Sequence, residues 1–202
     1  MTQHRVGFFG GSFNPPHLGH VAAARRAVEA LGLWGLVVMP AGTPPHKALP
    51  PGTPLPEDRL AMCGLAFADL PGCVVSELEM RPRGPVYTTD TLELLRSDDT
   101  QHILVVGSDM FLTLHEWYRA EEIFAAARVA VLVRAGGQEN LIREQAAFLA
   151  HRYGAAVDWI PHEPVEISST ELRAMLGENR GWEYLPGKVG DYIKEKGLYG
   201  AK

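Results

Sequence analysis

Short β-branched runs alternate along this chain with stretches of helical period, and few folds accommodate that order. Runs of this kind read as strands at Val6–Phe9, Leu36–Met39, Val74–Val75, His102–Val106, Val129–Val133 and Val157–Ile160. Between the first two, Val21, Ala24, Val28 and Leu31 recur at helical spacing, and Gly32 follows where a left-handed helix terminator is favoured. The result is a βαβ unit, and its repetition predicts an α/β protein whose parallel sheet is covered by helices on both faces. With 202 residues, 46% of them hydrophobic, the chain is long enough to bury one sizeable core, so a single domain over 1–202 is the economical reading.

Charge and cysteine content narrow the function classes. A formal net charge of -5 offers no general field for a polyanionic helix, so sequence-independent nucleic-acid binding is not expected. Any anion must be met by local groups. Cys63 and Cys73 lack CxxC spacing and read as reduced structural thiols. The N-terminal apolar run is too short for a signal-peptide core, and no stretch approaches the roughly 18 to 20 apolar residues that span a bilayer, so the expectation is a cytoplasmic protein without a membrane partner.

Two places in the chain look built for anions. The first strand runs into Gly10-Gly11-Ser12-Phe13-Asn14-Pro15-Pro16-His17-Leu18-Gly19-His20, where adjacent glycines permit close backbone approach and angles barred to other residues, and a following helix N-terminus presents free N–H groups. The turn matches neither GxGxxG nor GxxxxGK[ST]. His17 and His20, three residues apart, would emerge on one helix face and donate to phosphate oxygens. A structural zinc site would need further Cys or His ligands, and none stand nearby. The second place is Ile167-Ser168-Ser169-Thr170-Glu171-Leu172-Arg173, where Ser168 and Glu171 have capping-box spacing and Arg173 falls in the first turns of the helix, its fork suited to phosphate. Such boxes mostly just cap helices; the pairing with the first turn gives this one weight. Residues 41–56 hold six prolines without hydrophobic period and read as a surface loop after the second strand.

Together these residues resemble the nucleotidyltransferase superfamily whose signatures are HxGH and ISSTxxR, here His17-Leu18-Gly19-His20 and Ile167 to Arg173. Tyr87-Thr88-Thr89-Asp90-Thr91-Leu92, Gly107-Ser108-Asp109-Met110, Trp117 and the ending from Leu185-Pro186 to Leu198-Tyr199 make nearly the whole chain similar to nicotinate mononucleotide adenylyltransferases. Arg134-Ala135-Gly136 departs from the usual Arg-Pro-Gly, and Leu172 replaces the usual isoleucine before Arg173.

The resemblance implies a Rossmann-like doubly wound fold with a C-terminal helical part from about 168 to 202. It also implies transfer of AMP from ATP to nicotinate mononucleotide with magnesium. Its catalytic groups would be His17, His20 and Arg173. ATP would further meet Gly10, Gly11, Ser12, Phe13, Asn14, Gly107, Asp109, Ile167, Ser168, Ser169 and Thr170. The acceptor would meet His46 and Lys47 in a loop closing over it, with Thr88, Trp117 as a platform for the pyridine, Tyr118 and Arg134. Magnesium would be held mainly by phosphates rather than by side chains. Phosphopantetheine adenylyltransferase, an enzyme preferring the nicotinamide mononucleotide, and a non-catalytic nucleotide sensor are the alternatives. The oligomeric state stays open, a homo-oligomer included.

Overall fold

The computed structural model describes residues 3–44, 48–80, 84, 86–134 and 138–201. Six strands form one parallel sheet: β1 (His4–Gly11), β2 (Gly35–Pro40), β3 (Cys73–Val75), β4 (Thr100–Gly107), β5 (Arg128–Arg134) and β6 (Val157–His162). Their order is β3-β2-β1-β4-β5-β6, so the chain reverses direction across the sheet between β1 and β4, and a crevice opens beyond their carboxyl ends. The helices are α1 (Leu18–Leu31), α2 (Pro56–Phe67), α3 (Thr88–Leu94), α4 (Ser108–Leu112), α5 (Ala120–Ala126), α6 (Glu139–Tyr153), α7 (Ser169–Gly177) and α8 (Gly187–Lys196).

The apolar runs are unbroken because both sheet faces are buried. Alternate side chains go to opposite cores. Phe9, Ile103, Val105, Ala130 and Leu132 pack with residues of α1, α2, α7 and α8, whereas Phe8, Leu104, Val106, Val129 and Val131 pack with residues of α3 to α6. Each predicted strand is present, with β1 and β4 extending further at both ends than the apolar runs alone indicated. Gly32 ends α1 at φ 57°, the left-handed cap expected of it, with its N–H on the Val28 carbonyl. Leu172, the departure from isoleucine, is fully buried, and its volume matches the residue it replaces.

Both cysteines are free thiols. Burial pushes the Cys63 thiol well up, and the Cys73 thiol up to about 11. No helix among the described residues is long and apolar enough to cross a membrane.

Candidate active site

The turn after β1 carries its strain at an unexpected residue. The sequence placed the unusual backbone angles at Gly10 and Gly11, but neither has a positive φ; the left-handed angle, φ 42°, falls on Phe13. A non-glycine residue there costs roughly 1 to 3 kcal/mol and persists only where its surroundings hold it. The Phe13 ring, 1% exposed, packs against Phe9, Phe67 and His20, so it anchors the loop in the core and does not line the cleft that this turn borders.

His17 is the N-cap of α1, and its ring lies against that of His20 with centroids 3.8 Å apart. The one-face expectation is met. The His17 backbone N–H donates to His20 Nδ1 at 3.2 Å, which leaves Nε2 as the proton-bearing nitrogen of His20. Burial lowers both imidazoles, His17 to about 4 and His20 well below its ordinary value with His17 as a second cause. Both rings are therefore neutral at neutral pH. A Cβ on Gly19 would stand 3.0 Å from the His17 ring, so the glycine of the motif makes room for the imidazole beside it.

The two motifs touch. Arg173 Nη1 donates to the Asn14 carbonyl at 2.8 Å and Nη2 to Thr170 Oγ1 at 3.1 Å, while Ser169 Oγ reaches the Pro15 carbonyl at 3.4 Å. The predicted capping box exists: the Glu171 N–H donates to Ser168 Oγ at 3.1 Å, and Ser168 N donates to Glu171 Oε2 at 2.9 Å. The Ser168 hydroxyl also donates to Glu171 Oε2 at 2.6 Å, and this bond first, then that from the Ser168 N–H, holds the Glu171 carboxyl below its ordinary range.

A cleft of about 550 Å³ lies where the motifs meet. Gly10, Gly11, Ser12 and Asn14 line it from the first turn, Ser168, Ser169, Thr170 and Arg173 from the second. Gly107, Thr88 and Trp117 line it as well, with Ala41, Pro44 and Ala48–Pro50 of the proline-rich loop along one wall. Glycine turn and Arg173 thus share one cavity. The imidazoles do not line it; His17 is buried and His20 half-buried in the adjoining wall.

Other expected contacts differ. Asp109 is exposed in the first turn of α4, whose N-cap is Gly107, and does not line the cleft. Tyr118 is 52% exposed, lies against Tyr87 and does not line the cleft. Ile167 packs against the core, as its apolar side chain dictates. His46, Lys47 and the Arg134 side chain lie outside the described residues.

Sequence reasoning missed Glu79, the one acidic side chain among the described residues lining the cleft; it accepts from Thr91 Oγ1 at 2.8 Å, and burial raises its carboxyl. No local pattern marks it. A second cavity, about 1100 Å³, runs along the outer side of α1, where Leu18, Val133 and Val165 line one part of it. Residues 165–170 pass from that cavity to the first, Val165 lining one and Ser168 the other.

Residues 8–175 match the cytidylyltransferase-like family model. Among curated proteins, the chain is 39% identical to one named probable nicotinate-nucleotide adenylyltransferase from Aeromonas salmonicida (strain A449), covering 100% of both. It is also 39% identical to one of the same name from Gloeobacter violaceus (strain ATCC 29082 / PCC 7421), covering 96% of each. Among solved structures, Plasmodium falciparum nicotinic acid mononucleotide adenylyltransferase complexed with APC superposes with a TM-score of 0.78 at 16% identity, over 99% of each chain. The same enzyme complexed with NaAD gives 0.76 at 16% identity, again over 99% of each, and at such identity these likenesses speak for the fold. By its family model and its full-length relatives, this chain belongs to the nicotinate-nucleotide adenylyltransferase family of cytidylyltransferase-like proteins.

Proposed function

We propose that this chain transfers the adenylyl group of ATP to nicotinate mononucleotide, forming nicotinate adenine dinucleotide and releasing pyrophosphate. The observation that carries the reading is the single cleft lined by both the glycine turn and Arg173. Family membership supplies the substrates, since the full-length relatives bear this activity in their names.

A phosphate dianion is already ionised at neutral pH and attacks the α-phosphorus without a general base. The protein's task is to align the reactants and to meet charge developing on the phosphoryl oxygens. Arg173 and the N–H groups at the start of α7 serve the outgoing phosphates. His20 donates from Nε2 as a neutral imidazole once the triphosphate lies along the loop's edge, and His17 fixes its tautomer through the backbone bond. Leu18, Val133 and Val165 offer an apolar surface for the purine, with residues 165–170 carrying contacts from there to the phosphates. Thr88 and Trp117 take the pyridine end, and Lys47 with His46 meets the incoming phosphate. Arg134, at the end of β5, would meet the acceptor.

Magnesium fits this arrangement as a phosphate-held ion. No cluster of three His, Cys, Asp or Glu side chains among the described residues would cage a metal, and Mg²⁺ readily binds through phosphates, waters and one or two carboxylates. Asp109, exposed at the α4 N-terminus beside Gly107, would hold it through water. When bound, the ion neutralises phosphate charge. The cytoplasm, where ATP is available, is the compartment this chemistry suits.

Pure protein mixed with ATP, magnesium and one acceptor at a time tests the reading by pyrophosphate release. Nicotinate mononucleotide should give the highest kcat/KM, above nicotinamide mononucleotide and phosphopantetheine. No release with either pyridine mononucleotide would overturn it.

A further inference from the structure

Arg59, on α2, is wholly buried, yet its partners among the described residues are uncharged. Nη1 donates to the carbonyls of Ser12 at 2.9 Å and Ala41 at 2.6 Å, and Nη2 to the carbonyl of Gly42 at 2.9 Å; Nε has no partner. A guanidinium removed from water is costly, and the usual compensation is a carboxylate. Here it spends its donors on the main chain.

The carbonyls it gathers belong to the two turns that form the cleft. Ser12 precedes the strained Phe13 and lines the cleft, as does Ala41. The same two turns are tied once more by Ala41 N–H to the Gly11 carbonyl at 2.9 Å, and Gly42 N–H reaches the Glu79 carbonyl at 3.0 Å. A Cβ on Gly42 would lie 2.8 Å from that Glu79 oxygen, so this wall has no slack to take up a shift. Arg59 thus forms a fork that spans the glycine turn on one side and the start of the proline-rich loop on the other. It also holds the peptide entering Phe13, whose backbone angle needs external support.

We propose that Arg59 is a positioning residue for adenylyl transfer: its fork sets the phosphate-facing turn after β1 against the acceptor-facing turn after β2. The inference rests on the adenylyltransferase reading above. Because it contacts no substrate, its removal should misalign the reactants, and misalignment lowers kcat rather than affinity. Charge alone is not enough; the role needs a planar fork reaching separate carbonyls, which lysine lacks.

The test compares full-length wild-type protein with Arg59→Met and Arg59→Lys, each normalised to its folded fraction by circular dichroism and assayed well below its Tm. Expected is a fall in kcat on the order of 10²-fold for Arg59→Met, with KM for ATP and for nicotinate mononucleotide changed less than about threefold. Arg59→Lys should recover part of the loss and stay at least about fivefold below wild type. Amide hydrogen exchange, readable whether or not the protein turns over, should quicken in 10–14 and 41–44 in Arg59→Met while β4 and β5 stay protected. Wild-type kcat in folded Arg59→Met, a loss confined to KM, full rescue by lysine, or failure of both variants to fold would each overturn the proposal. Inactivity of the wild type towards the pyridine mononucleotides, with the exchange result as expected, would instead overturn the activity and restrict Arg59 to fixing the two turns.

Discussion

His20 is the residue on which the proposed chemistry leans hardest. It presents one proton, on Nε2, because its other nitrogen is taken by the His17 N–H. Removing a preorganised donor of this kind costs on the order of 10²-fold or more in kcat, so a folded His20→Ala protein at near-normal rate would exclude it from the transition state. Arg173→Ala should raise the apparent KM for ATP and also lower the rate, since the proposed role has the guanidinium meet phosphate while it braces the Asn14 carbonyl. Unchanged values for both would remove the assignment. His17 gives a pH signature. Its folded pKa, lowered by burial to about 4, means that the unfolded chain binds a proton the folded chain refuses. Its stabilising effect is complete above the ordinary value of 6.5 and is lost as pH falls from there towards 4, on the order of 3 kcal/mol in all. We expect the Tm of His17→Gln to fall less steeply over that window than that of wild type. Parallel slopes would place the acid sensitivity elsewhere.

At the level of elements, two helix starts define the site, and they were legible to different degrees. The capping box at Ser168 and Glu171 could be read from spacing alone, because capping is a local hydrogen-bond problem. Ser168→Ala should lower stability by about 1 kcal/mol in denaturant unfolding; an unchanged midpoint would mean the box adds nothing to the fold. His17 as the N-cap of α1 was less legible, since a histidine pair reads equally as a ligand set or as polar decoration. The strain at Phe13 was hidden for another reason: the glycines looked like the strained positions, and only the packing of the phenyl ring shows where the turn bends. Asn14, read as a nucleotide contact, does line the cleft, but its amide also ties distant parts of the chain, accepting from Tyr199 at 2.8 Å and donating to Thr53 at 2.9 Å. No window of sequence joins residues that far apart.

For the molecule as a whole, the strand positions and the sheet's parallel character were legible because burial on both faces leaves unbroken apolar runs. Strand order was not, because periodicity says nothing of which strand pairs with which; the family resemblance implied a doubly wound sheet, and the order itself came from the structure. The order matters to function, since the reversal between β1 and β4 brings the glycine turn, Gly107 and, through α7, Arg173 to one edge. Glu79 and Arg59 escaped notice because their roles come from the tertiary walls of the cleft. The proposed transfer is direct and in line within that cleft, with no covalent enzyme intermediate. ATP made chiral at the α-phosphorus by a single sulfur, converted to the dinucleotide with nicotinate mononucleotide as acceptor, reports it most directly. One displacement predicts inversion at that phosphorus; retention would reveal two displacements and exclude direct transfer.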